Sequence, residues 1–174
     1  EALLRWRSPK YGWVSPANFI PLAEESQIIL PLGQWVIETS CQFAEGLRRA
    51  GYGKLRVSVN ISVIQLMASD FIESTKKILK RTRVSREAIA FEITESALMT
   101  SFDDNVGKLL ELKELGLEIH LDDFGTGYSS LNYLKNLPID VVKIDKSFVD
   151  NIVEDRLKLG LLTSIIELVN RLGM

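Results

Sequence analysis

The stretch LEIHLDDFGTGYSS (117–130) joins an alternating strand to two adjacent carboxylates and a loop that contains two glycines. Its first five residues alternate between apolar and polar, which is the period of a β-strand with one apolar face. Asp122 and Asp123 follow side by side, and neighbouring carboxylates repel each other unless a cation or a proton intervenes. Glycine lets the backbone approach a ligand closely. The stretch therefore predicts a metal-dependent site beneath a loop, at the end of a strand.

Composition restricts the class of protein. The chain has 174 residues, of which 46% are hydrophobic and 25% charged, and a net charge of −2. These values are typical of a globular domain and give no electrostatic basis for binding a nucleic-acid duplex. No apolar run reaches the roughly 18 residues that span a membrane. The single cysteine, Cys41, is predicted to be a buried structural thiol. We expect a cytoplasmic domain, with membrane tethering of the parent protein left open.

Strand and helix patterns alternate along the chain. The end of a strand is predicted over Leu3 to Trp6, and a helix opens at Ser15-Pro16 and runs to about residue 26. Further helices are predicted at about 31–50, 70–82, 103–115 and from 154. Strands are predicted at 55–61, 88–94, 117–122 and 140–144. This alternation is typical of an α/β fold built from parallel βα units.

Strand register places four polar residues on a common side. Asn60, Glu92, Asp122 and Lys143 each point away from the main apolar face of their strand, near its C-terminal end. Parallel strands are normally apolar on both faces, so a recurring polar face is unexpected. It indicates a pocket at the C-terminal ends of the strands, where α/β barrels place their active sites. An open sheet with one solvated face is the alternative.

The start of the chain is consistent with such a pocket. Glu1, Leu3, Arg5 and Arg7 share one face of the predicted first strand. At about 3.3 Å per residue, Glu1 and Arg5 are expected to lie roughly 13 Å apart. That separation suits a ligand longer than one phosphate, with the acid at a metal and the guanidinium further out.

The candidate metal ligands are all oxygen donors, which favours Mg²⁺ or Mn²⁺ over zinc or copper. They are Glu1, Asn60, Glu92, Asp122 and Asp123. Four acids suffice for two divalent ions about 3.5–4 Å apart, which would activate a water and hold phosphate oxygens. The two aspartates can both reach the metals only if the strand ends between them. His120 lies within a strand, where a hydrogen-bonded interior imidazole is a better interpretation than a metal ligand.

Two further residues have a functional and a structural interpretation. Lys143 could hold the attacking water or neutralise phosphate charge, or it could simply extend from a strand end into solvent. Glu95 could order the glycine loop, or it could be an acid favoured by the dipole at a helix N-terminus. The residues alone leave both pairs of interpretations open.

Six segments, in order along the whole chain, resemble the bacterial EAL domain family. They are EALLRW (1–6), SPANFIPLAEES (15–26), SVNIS (58–62), FEITES (91–96), DDFGTGYSSLNYL (122–134) and PIDVVKIDKSFV (138–149). The resemblance implies a modified (β/α)8 TIM-type barrel that acts as a hydrolase in bacterial signal transduction. The implied reaction is phosphodiesterase cleavage of cyclic di-GMP to linear pGpG with Mg²⁺ or Mn²⁺.

The resemblance also assigns roles by motif. Metal-binding positions match Glu1, Asn60, Glu92, Asp122 and Asp123. Lys143 matches the lysine that positions the catalytic water, and Glu95 matches the glutamate that steadies the loop 123–130. Arg5 and Leu3 match substrate-binding positions. The resemblance further implies a homodimer through the 123–134 region and fused regulatory or cyclase-like domains in the parent protein.

The extent of the chain qualifies these expectations. About five βα units are present, so residues 1–174 are expected to form a single, partial EAL domain. By resemblance, the first strand and helix of the barrel precede Glu1, and the last strands, one carrying a further metal-site glutamate, follow Met174. The alternative function is therefore an inactive EAL-like receptor that binds cyclic di-GMP or a protein partner. An unrelated Mg²⁺-dependent barrel of the enolase type would not explain the six motifs.

Overall fold

The computed structural model describes residues 1–125 and 134–174, which are organised around a four-stranded parallel sheet. The strands are β1 (Trp6–Ser8), β2 (Gly12–Val14), β3 (Val57–Asn60), β4 (Ile89–Thr94), β5 (Glu118–Phe124) and β6 (Val141–Ile144). The helices are α1 (Pro16–Glu25), α2 (Ile29–Arg49), α3 (Val63–Met67), α4 (Phe71–Thr82), α5 (Glu95–Met99), α6 (Phe102–Glu114) and α7 (Arg156–Arg171). Strands β3 to β6 lie in chain order and are all parallel, which confirms the predicted βα units.

The start of the chain differs from the prediction. Ala2 adds a further position to the sheet through a single parallel bridge to Val59, and its amide donates to the Ser58 carbonyl at 2.8 Å. The strand predicted over Leu3 to Trp6 is wrong in extent, because β1 begins at Trp6 and pairs antiparallel with β2. Gly12, at φ +68°, allows the tight return of this hairpin. The face assigned to Glu1 through Arg7 is therefore not carried by one continuous strand.

One face of the sheet forms the hydrophobic core. The central strand β4 is buried along most of its length, with Ile89, Phe91 and Ile93 at most 1% exposed. Helices α2, α4 and α6 cover this face through Ile37, Cys41, Ile78, Leu79, Leu109 and Leu112. Cys41 is fully buried, as predicted, and burial raises the pKa of its thiol to about 11.

Helix boundaries follow local signals. Ser15 is the N-cap of α1 and Pro16 is its first residue, as predicted, although the Ser15 side chain makes no capping hydrogen bond. Helix α6 ends just before Gly116, whose φ of +82° is typical of a helix terminus. Two short helices were not predicted: α3 and α5 follow directly after β3 and β4. Ser62 and Thr94 cap them through their side-chain oxygens.

Candidate active site

The centre of the candidate site is an ammonium group held between two carboxylates from neighbouring strands. Lys143 Nζ on β6 lies 2.8 Å from Glu92 Oε2 on β4 and 2.9 Å from Asp122 Oδ2 on β5. Glu92 is only 4% exposed, whereas the Lys143 side chain is 33% exposed. The polar face of the sheet is therefore buried at its centre rather than solvated. Lys143 is hydrogen-bonded to this face and does not extend freely into solvent.

Mutual stabilisation sets the protonation states of this cluster. Burial opposes ionisation of Glu92, but hydrogen bonds from Lys143 and Ser58, together with the charge of Lys143 and the nearby His120, outweigh it, so the pKa of this carboxyl lies below its ordinary value. Burial likewise opposes the charge on Lys143, and the hydrogen bonds to Glu92 and Asp122 raise the pKa of the ammonium well above its ordinary value. Lys143 is therefore a fixed cation at neutral pH and not a base.

Asp122 and Asp123 reach the same end of the sheet through a bulge. Leu121 pairs with Val142 and Phe124 pairs with Ile144, so β5 contains one more residue than β6 between these two pairs. Asp123 adopts φ +54°, and its amide donates to Asp122 Oδ1 at 3.0 Å. The expectation that the strand must end between the two aspartates is wrong. The strand continues to Phe124, and the extra residue redirects the chain within it.

Asp123 is an exposed carboxylate with two other acidic side chains, Asp122 and Asp145, near it. Burial, followed by repulsion from Asp122 and Asp145, raises the pKa of its carboxyl, and the attraction of Lys143 is too weak to reverse this. A carboxyl in this position would be stabilised in its charged form by an additional cation.

Glu1 and Asn60 form a second polar pair at the other edge of the site. The Asn60 Nδ2 group donates to Glu1 Oε1 at 2.7 Å. The bridge of Ala2 to β3 holds Glu1 beside this strand end. Asn60 pairs in register with Glu92, so the two groups of candidate ligands occupy neighbouring strands.

A cavity of about 560 Å³ opens next to these residues. Four of the predicted site residues line it: Leu3, Arg5, Asn60 and Glu92. The lining also includes polar residues that the sequence interpretation missed, namely Ser62, Gln65, Thr94, Ser96 and Thr100. Ser62 and Gln65 could have been identified from the sequence, because Ser62-Val-Ile-Gln65 has the capping-box spacing that marks the start of a helix, directly after a predicted strand.

Glu95 lies beneath the start of the glycine loop. It is the first residue of α5 and is 1% exposed, and its Oε2 accepts a hydrogen bond from the Gly125 amide at 2.8 Å. Gly125 has φ +97°, and a side chain there would meet the Phe148 ring at about 2.5 Å. The remainder of the predicted loop 123–130, and most of the predicted dimer region 123–134, lies outside the described residues.

His120 connects the site to a longer row of charges. Its Nε2 lies 2.9 Å from Glu118 Oε1, and its Nδ1 lies 3.6 Å from Glu92 Oε1. Arg56 in turn donates to Glu118 Oε1 at 2.6 Å. The imidazole is thus hydrogen-bonded within the sheet, as the sequence interpretation favoured. We call this line of contacting side chains the charged row; in spatial order its members are Arg56, Glu118, His120, Glu92, Lys143 and Asp122.

The donors at this edge of the sheet decide whether the site suits a divalent metal. Within residues 1–125 and 134–174, no three acidic, histidine or cysteine side chains are grouped closely enough to hold a metal ion. The type of donor nevertheless suits Mg²⁺ or Mn²⁺, because the side chains at this edge of the sheet offer carboxylate and amide oxygens. The raised pKa of Asp123 identifies a carboxyl there that a bound cation would stabilise. That Glu1, Asn60, Glu92, Asp122 and Asp123 hold such an ion stays a prediction.

The fold and site define an α/β domain of the TIM-barrel type with a carboxylate-rich cluster at the C-terminal ends of its strands. The chain belongs to the EAL domain family, whose model matches residues 1–174. It is 37% identical over its whole length to the cyclic di-GMP phosphodiesterase NbdA of Pseudomonas aeruginosa, of which it covers 22%. It is 38% identical to the cyclic di-GMP phosphodiesterase PdeR of Escherichia coli, of which it covers 26%. The chain thus spans about a quarter of the length of these relatives.

Solved structures agree with this assignment. The PaMucR phosphodiesterase in complex with cyclic di-GMP superposes with a TM-score of 0.91 at 35% identity, over 99% of this chain and 70% of that one. The EAL enzyme Bd1971, bound to cAMP and cyclic di-GMP, gives a TM-score of 0.89 at 34% identity, over 99% and 48% respectively. None of the helices within the described part of the chain is long and apolar enough to cross a lipid bilayer.

Proposed function

We propose that this domain hydrolyses cyclic di-GMP to linear pGpG, as a metal-dependent phosphodiesterase of bacterial second-messenger signalling. The observation that carries the proposal is the position of the Lys143 ammonium between Glu92 and Asp122 at the strand ends. Glu92 and Arg5 both line the neighbouring cavity. The names of the relatives support the substrate, since NbdA and PdeR are cyclic di-GMP phosphodiesterases.

The residues of this chain supply positioning and charge. Arg5 reaches the cavity from the first segment, where its guanidinium would bind a substrate phosphate. Lys143 remains protonated, so it would orient the attacking water by donating a hydrogen bond and would not remove its proton. Bound Mg²⁺ or Mn²⁺ would supply neutralisation of phosphate charge and acidification of that water. Overall, hydroxyl from water bonds to phosphorus, the bond from phosphorus to the 3′ oxygen breaks, and that oxygen takes a proton.

The test is turnover by the full-length protein. Incubation with cyclic di-GMP and Mn²⁺, followed by chromatography, should yield pGpG, and Glu92→Gln should reduce kcat by at least about 100-fold. Glu87→Gln is the matched control, because this exposed glutamate precedes the opposite end of β4 and its carboxylate accepts a hydrogen bond from Ser85. Its rate should stay within about twofold of wild type. Absence of pGpG, with Glu1→Ala indistinguishable from wild type, would overturn the proposal.

A receptor without turnover is the second candidate function. It is favoured by the spacing of the acidic side chains, because no three of them within the described residues are grouped closely enough to hold a metal ion. Calorimetry separates the two functions, since a receptor would bind cyclic di-GMP equally well in EDTA and in Mn²⁺ and would release no pGpG.

The surroundings of the domain form part of the same proposal. The relative MucR of Pseudomonas aeruginosa is a bifunctional diguanylate cyclase and cyclic di-GMP phosphodiesterase, and this chain covers 25% of it at 34% identity. We accordingly propose fused regulatory or cyclase-like domains in the parent protein, a homodimer through the 123–134 region and a cytoplasmic location. Sedimentation of the full-length protein with and without substitutions in that region tests the dimer.

A further inference from the structure

Helix α2 has a glycine, Gly33, beside the cavity, at a position where there is no room for a side chain. A Cβ atom added to Gly33 would lie 2.0 Å from Nε2 and 2.4 Å from Cδ of Gln65. Gln65 is 4% exposed, so its side chain has little free volume into which it could move. The bare backbone at Gly33 thus defines where the Gln65 carboxamide lies. Both residues also line the cavity.

The Gln65 carboxamide closes a reciprocal capping box. Its Oε1 accepts a hydrogen bond from the Ser62 backbone amide at 3.2 Å, and the backbone amide of Gln65 donates to Ser62 Oγ at 3.3 Å. Helix α3 has only five residues and cannot be stable through its own backbone hydrogen bonds. The capping box therefore fixes the turn by which the chain leaves strand β3.

That turn begins two residues after a candidate metal ligand. Asn60 ends β3 and donates to Glu1 Oε1, while the next amide, that of Ile61, donates to the Glu92 carbonyl at 2.9 Å. The backbone that carries Asn60 is consequently held on one side by β4 and on the other by the capping box.

We propose that Gly33 and Gln65 are positioning residues that set the orientation of the Asn60 carboxamide in the metal site, through the Ser62 capping box. The inference rests on the proposed function, in which Asn60 is a ligand of the ion. Loss of an outer contact that orients a ligand typically weakens metal binding about 10- to 100-fold.

The experiment measures binding of Mn²⁺ alone to the full-length protein by calorimetry, and then kcat and KM at saturating Mn²⁺. Gly33→Ala should weaken Mn²⁺ binding about tenfold. Ser62→Ala should do the same, while Ser62→Thr, which keeps the hydroxyl, should restore binding. Gly46→Ala is the matched control: it lies in the same helix with open space around it, and should leave Mn²⁺ binding unchanged.

A double variant separates positioning from general destabilisation. If Gly33 acts through Gln65, Gly33→Ala combined with Gln65→Ala should bind Mn²⁺ no more weakly than Gln65→Ala alone, because the clash is gone. Additive losses would overturn the proposal, as would Mn²⁺ affinities within about twofold of wild type for both Gly33→Ala and Ser62→Ala. Wild-type protein that binds Mn²⁺ but releases no pGpG would instead refute the proposed function and leave the positioning role supported by the binding data.

Discussion

Replacing Lys143 with methionine tests whether the site is held together by charge. The substitution keeps an apolar stem of similar length but removes the ammonium that lies 2.8 Å from Glu92 and 2.9 Å from Asp122. Breaking a fully buried ion pair by removing one partner destabilises a protein by about 3–5 kcal/mol. Glu92 is 4% exposed but Lys143 is 33% exposed, so solvent moderates the effect, and we expect a loss of about 2–4 kcal/mol.

The control for this substitution is Lys146→Met. Lys146 lies 3.3 Å from Asp150, and their side chains are 84% and 51% exposed, so its removal should cost about 0–0.5 kcal/mol. Native-state hydrogen exchange of the β4 and β5 amides, in EDTA, reports the free energy of opening of this domain within the full-length protein. A difference of less than about 1 kcal/mol between the two variants would refute the electrostatic interpretation.

The pH dependence supplies an independent check on the same cluster. In the wild type the pKa of Glu92 is lowered, so its contribution to stability is present above its ordinary pKa and is lost as pH falls through the folded value. In Lys143→Met the hydrogen bond and charge of the ammonium are lost, so burial should raise this pKa against the remaining effects of Ser58 and His120, and stability should increase as acid protonates Glu92. The stability difference between the proteins should therefore shrink from about pH 7 to about pH 4. A constant difference would contradict the assignment.

Three further outcomes follow from the packing. Gly125→Ala should reduce turnover more than Gly51→Ala, because both glycines have strongly positive φ but a Cβ at Gly125 would also meet the Phe148 ring. Phe148→Leu should recover part of that loss. Equal effects of the two alanine substitutions would show that the contact with Phe148 does not matter. Asn105→Leu should destabilise α5 by about 1–3 kcal/mol, measured by hydrogen exchange, because its Nδ2 donates to two carbonyls of that helix. Cys41 should resist iodoacetamide at about pH 8 until the protein is unfolded, as peptide mass spectrometry would detect, since burial raises its pKa to about 11.

Alternation within single strands was sufficient to predict which side chains face the site. Asn60, Glu92, Asp122 and Lys143 occupy one face of the sheet because the period of two is a local property of extended chain. Their contacts are not local: Lys143 and Glu92 are 51 positions apart and meet only when β4, β5 and β6 are aligned. Composition and period could therefore predict the face but not the ion pairs.

The two structural errors have a common origin. The bulge at Asp123 is a shift in the register between β5 and β6, and strand periodicity within residues 117–125 does not predict where that shift falls. The hairpin of β1 and β2 likewise depends on pairing between segments, and the sequence of Leu3 to Trp6 does not distinguish a parallel from an antiparallel partner. By contrast, the capping box at Ser62 was encoded locally and could have been predicted from its spacing.

The charged row constrains how the domain can vary. Each of its members contacts the next, from Arg56 at the lower end of the sheet to Asp122 at the upper end. A neutral replacement at one position leaves the neighbouring charge without its partner, so the effect of a second replacement depends on the first. Sequence change along this face is consequently expected to proceed by compensating pairs, and a family member that lost one charge should have lost its partner as well.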